Sequence, residues 1–238
     1  MKNTKNITLK KEDVKLIEHV SKDVSDKYVP IFTSELIDLL EPEFQFDTGT
    51  MVKGTNTGHY VNLKKDDDTL RIYNSFDRSM ALRVHLVSDG ISIPLGIDRL
   101  IHRGEKASNF QEEFKAAKQD ILDAVIVAKT FKDHLDNTIA TEEIAKAITE
   151  SIFVMGSGKD ENKGITDIVN YADLLLDQNI SVSKYINISI RSYLKGEYNY
   201  TKNDVKMSGK PKRSVLGIIH LENRLVKTLE EKFPEYFL

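Results

Sequence analysis

Apolar and polar residues alternate with a period of two across Leu70–Val87. Leu70, Ile72 and Asn74 fall on one side and Arg71 and Tyr73 on the other. After a break, Met80, Leu82, Val84 and Leu86 alternate with Ala81, Arg83, His85 and Val87. This pattern predicts two half-buried strands. Between them, Asn74-Ser-Phe-Asp-Arg-Ser79 is rich in side chains that bond their own backbone, which makes it a turn.

The flanking chain extends the same layout. Residues 1–9 read as a loose arm. Lys11 to Val24 carries Val14, Ile17, Val20 and Val24 at helical spacing, and Tyr28-Val-Pro-Ile-Phe32 is extended because Pro30 disfavours helix before it. Thr33 or Ser34 is placed to cap a short helix, Glu35 to Leu40, that Pro42 ends. Phe44–Lys53 and His59–Lys64 are the first strands, and the latter turns through Lys65-Asp-Asp-Asp68 into Leu70. Ser88-Asp-Gly90 turns into Ile91–Leu95, an edge strand because Pro94 has no N–H for a ladder.

From Ser108 the period changes to three and four. Phe110, Phe114, Ala117, Ile121, Ala124, Val125, Ala128, Phe131 and Leu135 mark one face of a long helix capped by Ser108, which is expected to cover the sheet. Further helices are predicted from Thr141 to Met155, Thr166 to Leu176, Ser183 to Lys195 and Ser214 to Lys232. Residues 156–164 read as a flexible connector, and Gly196–Lys212 as polar and irregular. A run of strands followed by a run of helices is an α+β fold: an antiparallel β-meander packed on a long helix, then a helical C-terminal lobe. The expected organisation is residues 1–155 and 156–238, as two domains or as one domain with a lobe.

The chain has 238 residues, 40% apolar and 30% charged, which describes a globular chain rather than a disordered one. There is no cysteine, so disulfides and thiolate metal sites are excluded. The first residues, Met1-Lys-Asn-Thr-Lys-Asn-Ile7, lack the apolar run of a signal peptide, and no stretch approaches the roughly 20 apolar residues of a membrane span. A cytoplasmic protein without a membrane partner is the expectation. The Lys, Asn, Asp and Ile bias is that of AT-rich coding, common in phages and low-GC bacteria.

The net charge of -3 hides an asymmetry. Residues 184–227 hold ten Lys and Arg against three acidic groups, whereas residues 1–183 hold 23 basic against 31 acidic groups. An acidic body thus precedes a basic C-terminal region.

Four constellations are candidates for chemistry. Asp77, His85, Asp89 and His102 lie near strand ends, but no pair has ligand spacing such as His-x-x-x-His, so they read as turn, strand-face and loop residues. Gly156-Ser-Gly-Lys-Asp160 follows a helix and has no Ser or Thr after Lys159, so it is a linker rather than a phosphate loop. Lys53-Gly-Thr-Asn-Thr-Gly-His59 lacks the spacing of a covalent-lysine nucleotidyltransferase and reads as a glycine-bounded hairpin loop. No catalytic residue, metal ligand or cofactor is assigned.

The fourth constellation is the basic, tyrosine-containing stretch Lys195–Arg213. Phosphates attract Lys and Arg, and bases stack on aromatic rings. The candidate nucleic-acid-binding residues are Arg191, Tyr193, Lys195, Tyr198, Tyr200, Lys202, Lys206, Lys210, Lys212, Arg213 and Arg224. The structural alternative is a solvated lysine-rich loop whose tyrosines pack on the core.

Several segments occur in an order shared with a known family: Tyr28-Val-Pro-Ile-Phe-Thr-Ser-Glu-Leu-Ile-Asp-Leu-Leu40, Gly58-His-Tyr-Val-Asn-Leu63, Asn74-Ser-Phe-Asp-Arg-Ser79 and Arg99-Leu-Ile-His-Arg-Gly104. Over residues 28–135 the chain resembles the phage- and plasmid-borne family called domain of unknown function nine-thirty-two. That family usually carries Asn-Ser-His-Asp-Gly-Ser at the hairpin; here Phe76 stands for the His and Arg78 for the Gly. Its Cys-Ser-Asn-Gly segment is echoed only by Val87-Ser-Asp-Gly90. The resemblance implies a mobile-element origin rather than a reaction.

The chain is expected to be a non-enzymatic accessory protein of a phage or mobile element that binds nucleic acid, single-stranded or without sequence preference, through its basic C-terminal region. The alternative is a protein that binds and inhibits a host protein through the acidic body. Homo-oligomers are compatible with either.

Overall fold

Six strands pair in chain order into one sheet: β1 (Thr8–Leu9), β2 (Gln45–Met51), β3 (His59–Lys65), β4 (Asp68–Asn74), β5 (Arg83–Ser88) and β6 (Ile91–Pro94). The computed structural model describes residues 7–18, 30–52, 55–76, 82–95, 110–153, 178–202, 205–209 and 215–236. The remaining elements among these are α1 (Lys11–Ile17), α2 (Thr33–Leu40), α3 (Phe110–Asn137), α4 (Glu142–Phe153), α5 (Val182–Lys195), a hairpin of β7 (Asn199–Lys202) and β8 (Val205–Ser208), α6 (Val215–Lys232) and a 3-10 turn, Pro234–Tyr236. This is the α+β fold with a helical C-terminal region that the sequence predicts.

The chain divides into two compact units, Met1–Ser88 with Ser92–Ala128, and Asp89–Ile91 with Lys129–Leu238. The division falls inside α3; the connector read at 156–164 and the helix expected at 166–176 lie outside the described residues.

In the first unit the register explains the core. Val61, Ile72 and Val84 stand opposite one another across β3, β4 and β5, as do Leu63, Leu70 and Leu86, and all six are buried. Side chains opposite each other in a ladder share a face, so these two rows form one apolar surface. The other face carries Thr48, Asn62, Arg71 and His85 in one row and Thr50, Tyr60, Tyr73 and Arg83 in the next. On α3, Ala117, Ile121, Val125 and Ala128 are buried at the spacing of one helical face.

Three local expectations are corrected. Residues 1–9 are not wholly a loose arm, because Thr8 and Leu9 pair with Thr50 and Gly49. Neither Thr33 nor Ser34 is the N-cap of α2: the cap position is Phe32, and the Glu18 carboxylate accepts from both the backbone N–H and the hydroxyl of Ser34 at 2.6 Å. A carboxylate at that end suits the exposed N–H groups of a first turn. Residues 196–212 are not irregular throughout, because β7 and β8 pair from Asn199↔Ser208 to Lys202↔Val205.

In the second unit α4 packs against both α5 and α6. The end of α3 is pinned beside the start of α5 by two backbone hydrogen bonds, Ala140 N–H to Ile180 O at 3.0 Å and Val182 N–H to Thr138 O at 2.8 Å. Phe131 meets Phe233 and Tyr236, with ring centroids 5.9 and 5.2 Å apart.

Candidate functional site

The pinned junction of α3 and α5 opens into a groove of about 320 Å³, lined by Asp89, Lys132, Asp136, Ser183, Lys184, Asn187, Ile188 and Arg191. All eight belong to the second unit. Local sequence explains the α5 wall. Ser181 caps the helix by accepting from Lys184 N–H, and Gly196 ends it with φ 75°, a left-handed conformation that glycine adopts without penalty. Between these ends, Val182, Tyr185, Ile186, Ser189 and Tyr193 are buried. Lys184, Asn187, Ile188, Arg191 and Lys195 recur at spacings of three and four on the opposite side, where Lys184, Arg191 and Lys195 are exposed.

The groove floor is a fixed ion cluster. Lys132 Nζ donates to Asp136 Oδ1 and Oδ2 at 2.8 and 2.6 Å and to Asp89 Oδ2 at 3.1 Å. Ser183 donates its hydroxyl to Asp136 Oδ1. An ammonium has three donors, so Lys132 is saturated. Burial alone would push its pKa down, but the hydrogen bonds to Asp136 and Asp89 outweigh it and hold the ammonium above the usual lysine value. Burial likewise raises Asp136, yet its bonds to Lys132 and Ser183 prevail and hold the carboxyl below the usual value. Asp89 sits in the left-handed region, φ 48°, and its side chain is 76% exposed. Among the described residues, the side chains of Lys184, Asn187 and Arg191 have no hydrogen-bond or ion-pair partner, and neither has Oδ1 of Asp89.

The residues predicted from sequence do not all reach this surface. Arg191 does, and Lys195 continues the same line with its Nζ 3.8 Å from Glu197 Oε2. Tyr193 and Tyr198 are core residues: they are 7% and 8% exposed and form an aromatic trio with Phe153, the two tyrosines stacked at 5.9 Å. As placed, they offer no face to a base. Arg224 is a structural tether, its Nε donating to Ser151 O at 2.9 Å and its Nη2 to Ile152 O at 3.4 Å, where α4 ends. Tyr200, Lys202 and Lys206 lie on the β7–β8 hairpin. Lys210, Lys212 and Arg213 lie outside the described residues. Sequence reading missed Lys184 and Asn187 as site residues, although their spacing to Arg191 on a predicted helix could have found them.

His85 is buried on the sheet, Nδ1 2.8 Å from Ser92 Oγ. Burial, then the charges of Arg83 and Arg71, push its pKa down to about 3. Asp77 and His102 lie outside the described residues, and among the described residues no three His, Asp or Glu gather in a metal-holding group.

A second polar cluster joins three separate segments of the first unit. His59 Nδ1 donates to Thr57 O at 2.7 Å, which leaves Nε2 to accept from the Thr33 hydroxyl at 2.9 Å. Asn74 Nδ2 donates to Ile31 O at 2.9 Å and to Thr33 Oγ1 at 3.0 Å, and Phe76 N–H donates to Thr57 Oγ1 at 2.8 Å. Thr33, His59 and Asn74 are fully buried, so the cluster fixes where three chain segments meet and exposes no group to a substrate. No protein-family model matches this chain, and neither any curated protein nor any solved structure does. Among the described residues, no helix is long and apolar enough to cross a membrane.

Proposed function

We propose that this chain is a non-enzymatic nucleic-acid-binding accessory protein of a phage or similar mobile element, holding single-stranded or unspecific nucleic acid along α5. One observation carries the reading. Lys184, Arg191 and Lys195 form a line of exposed cations on one helical face. At the helical rise, the first two are about 10.5 Å apart and the third about 6 Å further on. A strand's phosphates attract such a row and release counterions when they bind it. Along this face Lys132, Lys184, Arg191 and Lys195 stand against Asp89, Asp136 and Glu197, four cations to three carboxylates, so the net charge is positive by one. The local excess of ten cations over three carboxylates in residues 184–227 supports the same reading.

The test is fluorescence anisotropy of a labelled single-stranded oligonucleotide across a salt series. Replacing Lys184, Arg191 and Lys195 together by Ala should weaken binding at least about tenfold and flatten the slope of log K against log salt by about 2, given ~0.7 per phosphate contact on a single strand. Replacing Lys210, Lys212 and Arg213 should weaken it further. Unchanged affinity and slope in the first variant would refute the proposal.

A further inference from the structure

The groove does more than continue the cationic line, because the side chains without partners in it are chemically unlike one another. Lys184 and Arg191 can only donate, Asp89 Oδ1 can only accept, and the Asn187 amide does both. These side chains line one cavity of about 320 Å³, at the small end of the range for small-ligand sites. The floor is closed to a ligand, since Lys132 spends its donors on Asp136 and Asp89 and the Ser183 hydroxyl is committed to Asp136. The Ile188 side chain supplies an apolar contact between the polar ones.

Such a groove suits an occupant with an anionic end and a planar end that presents N–H donors. Resting on the nucleic-acid reading above, we propose that the groove receives one unstacked nucleotide of the bound strand. Its phosphate lies against Lys184 and Arg191, and its base edge against Asn187 and Asp89. A base turned out of its stack exposes its pairing edge to side chains in this way. Asp89 accepts, so it favours the exocyclic amino groups of cytosine, adenine and guanine. Thymine and uracil present their single N–H between two carbonyls, which the carboxylate repels. The α5 line then holds any strand, and the groove ranks the bases.

The experiment uses the full chain and labelled homopolymeric deoxyoligonucleotides at fixed salt, with cytidine monophosphate as competitor. Oligo-dC and oligo-dA should bind at least about fivefold tighter than oligo-dT, the lower bound for a well-formed base contact. Cytidine monophosphate should displace oligo-dC. Asp89→Asn and Asn187→Ala should each erase most of that preference. Asn tolerates the left-handed turn at position 89, so Asp89→Asn decides the matter if Asn187→Ala does not fold. Equal binding of oligo-dT and oligo-dC, or a preference that survives Asp89→Asn, overturns the groove assignment while leaving the strand-binding reading intact. No binding of any oligonucleotide overturns both.

Discussion

Thr33 Oγ1 lies 2.9 Å from His59 Nε2 and 3.0 Å from Asn74 Nδ2, so one hydroxyl joins residues 26 and 41 positions away in the chain. It donates to the imidazole and accepts from the amide, and neither partner has solvent to replace it. Thr33→Val keeps the shape and removes both bonds. The variant should lose about 1–3 kcal/mol of stability, the penalty for buried polar groups left unsatisfied, as read by the urea midpoint of unfolding.

Acid should destabilise the fold before its carboxylates titrate. His59 is held below 6.5 mainly by burial, partly opposed by its bond to the Thr57 carbonyl, and His85 is held at about 3. Both fold in the neutral form. Below pH 6.5 the unfolded chain takes up protons that the folded chain refuses, so stability falls as pH falls from 6.5 towards 3. His85 contributes a slope of up to about 1.4 kcal/mol per pH unit across that window, and His59 adds to it just below pH 6.5. Urea unfolding measured from pH 7.5 to 4.5 should show this slope, and His85→Asn should remove most of it.

The ion cluster under the groove should be asymmetric in its energetics. Lys132→Met strands Asp136, whose side chain is 41% exposed, and should lower stability by about 1–3 kcal/mol. Asp89→Asn, which keeps a residue that tolerates the left-handed turn, removes the charge of a side chain that is 76% exposed and should change it by less than about 1 kcal/mol. A larger effect at Asp89 than at Lys132 in thermal unfolding would show that the cluster is organised differently.

Two residues that look like nucleic-acid contacts in the sequence should behave as scaffold. Arg224→Ala frees two carbonyls at the end of α4, and Tyr198→Ala empties a place beside Phe153 and Tyr193. The first should lose about 1–2 kcal/mol and the second about 3 kcal/mol or more. Oligonucleotide affinity, measured where each variant is fully folded, should stay within about twofold of the parent, well under the factor of 10 that 1.4 kcal/mol represents.

Much of the sheet was legible because its core face obeys a strict alternation. Leu70, Ile72, Val84 and Leu86 point where the period of two puts them. The pattern could not say that Tyr73 and His85, on the other face, are buried as well, since alternation reports polarity and not what a face meets. β1 escaped notice because two residues carry no period; its pairing with Gly49 and Thr50 is a long-range event. β7 and β8 escaped notice because only Tyr200, Val205 and Met207 mark an alternation in Asn199–Ser208, too few to stand out. That hairpin is held by its backbone ladder and by Gly209 N–H donating to Tyr198 O at 2.7 Å. In the groove, the α5 wall could be read from spacing within one helix. The floor could not: Asp89 reaches Lys132 from 43 residues away, and Ser183 reaches Asp136 from 47.

The lengths of the two outer strands bear on how the molecule behaves when concentrated. One border of the sheet is β1, two residues long, and the other is β6, four residues ending in Pro94. A foreign strand seeking to dock there finds few open backbone groups, and at Pro94 it finds no amide hydrogen. Growth of the meander by pairing onto β1 or β6 themselves therefore has little backbone to build on.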